Sequence, residues 1–191
     1  QLQTIGERAF SNSRFAEVSF PESVSDIVIG TAAGESRTAA IFTGNKNLRT
    51  AYISTSVKDV TDVFTGCPNM ESITVAEDHE NYSVYPGEPV LYNKAKTGII
   101  YICGQIKGNV EGEEETYRIA DGTDYIADKA FMGQNLLKKV IIPTSIKTIG
   151  KEAFKNSVNL KTVQIIHADG TPSQLESMGT SVFEGCTSLS S

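Results

Sequence analysis

The stretch SIKTIGKEAFKNSVNLKTVQI (residues 145–165) changes its hydrophobic rhythm halfway along. Ile146, Ile149, Ala153 and Phe154 are separated by 3, 4 and 1 residues, a spacing that one or two helical turns would gather on one face. Val163 and Ile165 then alternate with polar neighbours, the period of a strand with one buried side. The same switch occurs in TDYIADKAFMGQNLLKKVIIP (123–143). There Ile126, Ala130, Phe131, Leu137, Val140 and Ile142 match Ile149, Ala153, Phe154, Leu160, Val163 and Ile165 at a constant offset of 23.

Counted from each Phe, apolar residues recur at +6, +9 and +11: Met70, Ile73 and Val75 after Phe64, and Leu48, Ala51 and Ile53 after Phe42. Leu189 stands at +6 from Phe183. Near the N-terminus, TIGERAFSNSRFAEVSFPESV (4–24) opens in the same way around Phe10 and then slips by one, so that Phe15, Val18 and Phe20 take the later places. The linkers FPESV (20–24), ISTSV (53–57) and IPTSI (142–146) recur as well. A unit of 22 or 23 residues is too small to enclose a core, so copies must stack and bury columns of Phe, Leu, Val and Ile between them. The pattern predicts an α/β repeat fold, a solenoid of short strands and short helical segments. Phe10, Phe42, Phe64, Phe131, Phe154 and Phe183 are expected to form its buried column.

Inserted residues interrupt the repeat at about 30–40 and again at 78–118. Part of the second insertion, ENYSVYPGEPVLYNKAKTGIIYICGQ (80–105), reads as a strand-rich variant repeat. Its strands at Val90–Tyr92 and Ile99–Ile102 are expected to form a hairpin across NKAKTG, whose Asn, Lys and Gly suit a turn.

The run LKKVIIPTSIKTIGKEAFKNSVNLKTVQI (137–165) resembles the BspA-type leucine-rich repeat, whose pattern sets Pro143, Gly150, Ala153 and Phe154 in their places. The resemblance covers most of the chain. It implies a right-handed leucine-rich-repeat solenoid carried on secreted or surface-anchored bacterial proteins, whose members act as adhesins or extracellular binding proteins. Residues 1–191 are thus expected to form a single solenoid. Both ends read as ordinary repeats rather than the atypical caps of natural solenoids, so a fragment of a longer protein is expected.

Composition narrows the partners. With 23 Asp+Glu against 17 Lys+Arg, the net charge of −6 lacks the basic footprint of a nucleic-acid binder or of a polybasic membrane-surface segment. No run approaches the roughly 18 apolar residues of a membrane span. No basic-then-apolar segment of the signal-peptide kind opens the chain, so the surface location rests on the resemblance alone.

Candidate chemistry is sparse. G-x-S-x-G, H-E-x-x-H, a phosphate-binding glycine loop and C-x-x-C are all missing, and the chain is expected to be non-catalytic and to need no cofactor. The acidic tract EGEEE (111–115) lacks the alternating ligands of a calcium loop and reads as a solvated loop tip. His79 and His167 belong to different repeats, which argues against a histidine-based metal site. Cys67 and Cys186 stand three residues after a Phe, where other copies carry Ser13, Asn45, Gln134 and Ser157. The shared role is a small or polar residue that bonds neighbouring backbone at a tight turn. Cys103 reads as a small buried hydrophobe, and all three thiols are expected to be unpaired.

Function is then expected on the outward strand positions, at +8 and +10 from each Phe: Thr50 and Tyr52, Ser72 and Thr74, Lys139 and Ile141, Thr162 and Gln164, with Glu17 and Ser19 in the shifted first copy. Tyr52, Thr74, Ile141 and Gln164 are the expected contacts, with Tyr52 as anchor. Few aromatics in the row favour a protein partner, host or matrix, over a glycan. The chain itself is expected to be a monomer or weak oligomer. The alternative is a structural spacer within a larger surface protein.

Overall fold

Strands in this chain pair with their repeat equivalents. Lys139–Pro143 aligns with Thr162–Ile166 in parallel, residue for residue at the offset of 23. In the computed structural model, the residues described are 2–27, 41–166 and 172–190; the insertion around 30–40 and His167 lie outside them.

The unit Gln1–Lys94 carries β1 (Thr4–Ile5), β2 (Glu17–Ser19), β3 (Asp26–Ile27), β4 (Thr50–Ile53), β5 (Ser72–Val75), β6 (Tyr82–Val84) and β7 (Val90–Asn93). The first and third strands pair in parallel, and β2, β4 and β5 form a parallel three-stranded sheet. An antiparallel pair not expected from the repeat closes this part: β6 lies against β7.

The unit Ala95–Ser191 carries β8 (Gly98–Ile102), β9 (Thr116–Arg118), β10 (Tyr125–Ile126), β11 (Lys139–Pro143), β12 (Thr148–Ile149), β13 (Thr162–Ile166) and β14 (Ser177–Met178). Its longer strands β9, β11 and β13 form one parallel sheet. On another side of the coils, β8, β10, β12 and β14 form a second parallel ladder. The repeat therefore reaches back to Thr116, inside the stretch expected to be inserted. Tyr117 and Ile119 hold the places of Val140 and Ile142.

The expected helical segments do not form: no helix occurs among the described residues. Backbone geometry explains why. Each of the six column Phe residues is flanked by residues of left-handed conformation, at +2 throughout and at −2 wherever that position is described. At −2 stand Arg8 (φ 54°), Asp62 (60°), Lys129 (58°), Glu152 (56°) and Ser181 (56°). At +2 stand Asn12 (56°), Gly44 (75°), Gly66 (85°), Gly133 (72°), Asn156 (61°) and Gly185 (74°). A right-handed helix cannot pass through such residues. Instead, alternate amides bond the next coil: Glu152 N to Thr180 O (2.9 Å), Phe154 N to Val182 O (2.9 Å) and Asn156 N to Glu184 O (2.8 Å). The amides between them close tight turns, as Lys155 N does on Glu152 O (3.0 Å) and Ser157 N on Phe154 O (3.1 Å). The 3-4-1 spacing thus marks a ladder of turns that places Ala153 and Phe154 inside.

The Phe columns are stacked. In the first unit, Phe10 lies on Phe42 (5.4 Å between ring centroids) and Phe42 on Phe64 (6.1 Å). In the second, Phe131 lies on Phe154 (4.8 Å) and Phe154 on Phe183 (5.4 Å). Phe42, Phe64, Phe131 and Phe154 are fully buried. Phe10 and Phe183 are only half-buried, against the expectation for the column.

The position three residues after each Phe ties one coil to the last. Cys67 Sγ donates to Phe42 O (3.5 Å), Ser157 Oγ to Phe131 O (3.1 Å) and Cys186 Sγ to Phe154 O (3.1 Å). Asn45 donates through Nδ2 to Phe15 O (3.2 Å) while its Oδ1 accepts the amides of Asn47 (2.9 Å) and Leu48 (3.1 Å). No buried side-chain nitrogen or oxygen among the described residues lacks a partner.

Candidate functional site

With the turn side committed to the stack, the side chains left outward stand on the longer strands. In the first unit, parallel register aligns Glu17, Thr50 and Ser72 in one row and Ser19, Tyr52 and Thr74 in the next. Between them Ala51, Ile73 and Ile53 point into the core. This is the alternation a strand imposes when one face is buried. Tyr52 is 38% exposed and Thr74 is exposed, its hydroxyl bonded to Ala51 O (3.4 Å). An ion pair of Arg49 with Glu71 (3.4 Å), both well exposed, lies one residue before the first row.

In the second unit the rows are Thr116, Lys139 and Thr162, then Arg118, Ile141 and Gln164. Gln164 is exposed, as expected. Ile141 is not: only 4% of it is accessible, which corrects its place among the expected contacts. Its strand is the central one, and longer side chains stand beside it in register, Arg118 on one strand and Gln164 on the other. Neighbours about 4.8 Å to either side can lie over an isoleucine between them. Arg118 is an exposed residue of that row which sequence reasoning misses, because β9 falls within the stretch expected to be inserted. The signal is present in TYRI (116–119), which continues the repeat register at the same offset of 23.

The outer edge of β9 is covered from within the chain. Asn109 N donates to Thr116 O (3.0 Å), and the Asn109 side chain accepts Arg118 N (2.7 Å) and donates to Arg118 O (3.0 Å). One asparagine thus fills the bonding places of an added strand residue. The acidic tract beside it is exposed at Glu111, Glu113, Glu114 and Glu115, and Glu115 pairs with Lys138 (2.6 Å).

Nucleophilic chemistry has little to work with. Cys67, Cys103 and Cys186 are free and buried. Burial pushes the thiols of Cys67 and Cys103 up to about 12 and raises that of Cys186, so none is a thiolate at neutral pH. His79 is fully buried and commits both ring nitrogens to backbone: Nε2 to Val57 O (2.9 Å), Nδ1 to the amides of Asn81 (3.0 Å) and Tyr82 (3.1 Å). No group of three His, Cys, Asp or Glu side chains gathers among the described residues, and no helix there is long and apolar enough to cross a membrane.

The comparisons agree with the stacked coils. A BspA-type leucine-rich repeat region, in six copies, matches residues 1–85 and 113–191. The chain belongs to the BspA-type leucine-rich repeat family. The pneumococcal vaccine antigen PcpA is similar in structure, with a TM-score of 0.65 at 22% identity over 99% of this chain and 53% of that one. A leucine-rich repeat protein from Eubacterium ventriosum is similar to the same degree, with a TM-score of 0.65 at 20% identity over 98% of this chain and 50% of that one. Comparison with curated proteins finds no match. The chain spans about half the length of these two solved structures. At these identities the likeness gives the fold, a leucine-rich-repeat β-solenoid, and the BspA-type repeat is a scaffold on which the outward rows are displayed.

Proposed function

We propose that this BspA-type repeat region is a non-catalytic binding scaffold, displayed outside a bacterial cell and adhesin-like, that takes a protein partner on the outward strand rows. The observation carrying this reading is the row Ser19, Tyr52 and Thr74, where an exposed aromatic stands between hydroxyls on a rigid parallel sheet. An aromatic anchor held on a rigid backbone supplies contact area at small entropic cost. Gln164 and Arg118 offer polar contacts on the corresponding face of the second unit, and Ile141 is withdrawn from the set. The description of PcpA as a vaccine antigen supports a surface location for the family's fold.

The test is a screen of the purified chain against extracellular-matrix proteins and glycans, followed by variants against any protein that binds. Tyr52→Ala is expected to weaken binding by about 30-fold or more, the scale of a hot-spot truncation of about 2 kcal/mol. Gln164→Ala is expected to weaken it less. If both variants bind like the parent while changes within 78–118 abolish binding, the strand rows are the wrong surface.

A second reading has its own support. Since the chain spans about half of each similar structure, it can serve as a spacer in a larger surface protein whose working part lies elsewhere. A screen without a partner, together with a full-length protein that binds through another region, would favour that reading.

A further inference from the structure

His79 breaks a column. In successive coils the same turn position is held by Val24, Val57, Thr123 and Ile146, each with its amide bonded to the carbonyl three residues before. His79 makes the same bond, to Ala76 O (3.0 Å), but puts an imidazole where its equivalents are aliphatic or a threonine. The ring is fully buried.

Its bonding fixes one protonation state. The Val57 carbonyl can only accept, so Nε2 carries the hydrogen (2.9 Å). The amides of Asn81 and Tyr82 can only donate, so Nδ1 must be bare (3.0 and 3.1 Å). The arrangement repeats one seen at Asn45, whose Oδ1 accepts the amides two and three residues on while its Nδ2 donates to a carbonyl of the preceding coil. The difference is that asparagine cannot titrate.

These bonds belong to a small clasp between 79–82 and 57–60. His79 bonds Val57 O, Asn81 Nδ2 bonds Lys58 O (2.9 Å), and the Tyr82 hydroxyl accepts Val60 N (3.2 Å). The rings of His79 and Tyr82 lie 5.1 Å apart. Tyr82 opens β6, so the clasp holds the strand on which β7 is paired. We propose that His79 is an acid-sensitive latch. Neutral, it closes the clasp that seats the β6–β7 pair on the preceding coil; protonated, it releases that pair.

Protonation would place a hydrogen on Nδ1 against two amide hydrogens and remove both bonds at once. The charged groups around the ring mostly oppose it as well. Lys58 in the 57–60 turn and Lys94 after β7 repel a cation, while Glu80 beside the ring attracts one. Glu80 is itself paired with Lys58 (3.3 Å). Glu77 and Asp78 precede the ring in its own turn. Burial, the largest cause, and the two lysines hold the ring below the usual value of 6.5, against the Val57 carbonyl bond and Glu80, which favour the cation. A folded value below the unfolded one means that the closed state is favoured above pH 6.5 and progressively lost as pH falls below it. The latch is independent of the partner proposed above.

Amide exchange on the full chain from pH 7.5 to 5.0, corrected for the intrinsic rate, tests it. Protection at Asn81 and Tyr82 should fall by up to about tenfold per pH unit below 6.5, while Phe154 and Asn156 hold theirs. His79→Asn, which copies the arrangement at Asn45, should keep protection and flatten the slope. Unchanged protection in the parent, or the same slope in His79→Asn, overturns the latch. Should His79→Asn fail to fold, the ring 15N shifts of the parent decide: a midpoint below 6.5 accompanied by loss of protection supports the latch, and one at or above 6.5 overturns it.

Discussion

The turn ladder around each Phe and the outward row of each strand are made by the same coil, under opposite constraints. Around Phe154, position after position has a structural task. The residues at −2 and +2 turn the backbone left-handed, the one at +3 bonds the previous coil, and the ring itself fills the stack. On the row of Ser19, Tyr52 and Thr74, the backbone is held by the parallel ladder and the side chains face solvent or its margin. A repeat fold therefore writes its architecture on one side and leaves the other free to vary. Residues on the first side should be costly to change, and those on the second should matter only when something binds.

The largest effect belongs to the stack. Phe154 has a ring on each side, at 4.8 and 5.4 Å. Phe154→Ala should cost about 3–5 kcal/mol, read as a lowered midpoint in urea. Phe183, half-buried with one ring neighbour, should cost less when truncated in the same way. Equal losses at the two positions, or none at Phe154, would mean that the column is not the core of the unit.

A middle-sized effect probes how closely the coils approach. Gly150 follows β12, and a Cβ there would lie 2.6 Å from the Ala127 carbonyl carbon and closer still to the Asp128 amide. Both are backbone of the preceding coil and cannot rotate away. Gly150→Ala should therefore destabilise by about 1–3 kcal/mol through overpacking. Full stability would show that the coils can move apart, and the contrast between a fixed turn side and a tolerant strand face would weaken.

The same contrast explains what can be read from the sequence. The Phe, Leu, Val and Ile columns are legible because burial repeats them at +6, +9 and +11. The bonds at +3 are legible because Ser, Asn, Gln and Cys share little except a side chain that can reach backbone. Helical segments are the wrong reading because apolar spacing reports which residues face inward, and a ladder of turns can satisfy the same spacing. A corrective signal exists at +2, where every copy has Asn or Gly: Asn12, Gly44, Gly66, Gly133, Asn156 and Gly185. These are the residues that tolerate positive φ at least cost. Position −2 offers no such hint, since Arg8, Asp62, Lys129, Glu152 and Ser181 look like ordinary surface residues. On the strand face, alternation places Tyr52, Thr74 and Gln164 outward correctly. It does not foresee that Ile141 is buried on the central strand of three, one of whose neighbours lies inside an apparent insertion.

The smallest expected effect is at Tyr52, and it separates the two sides most sharply. Tyr52 is 38% exposed, and the strand is held by backbone pairing with β2 and β5 that no side chain at this position supplies. Its carbonyl, which accepts the Phe20 amide (3.1 Å), is retained whatever side chain is present. Truncation loses some apolar contact with the row neighbours, and this is partly offset because alanine has no rotamer freedom to give up on folding. Tyr52→Ala should thus shift unfolding by no more than about 0.5 kcal/mol, the ordinary range for surface substitutions. Measured beside Phe154→Ala in the same urea titration, the two aromatic truncations should differ several-fold. A Tyr52→Ala loss approaching that of Phe154→Ala would place Tyr52 in the core energetically. Any loss of binding in that variant would then report unfolding rather than a missing contact, and the strand row would have to be tested at Gln164 and Arg118 instead.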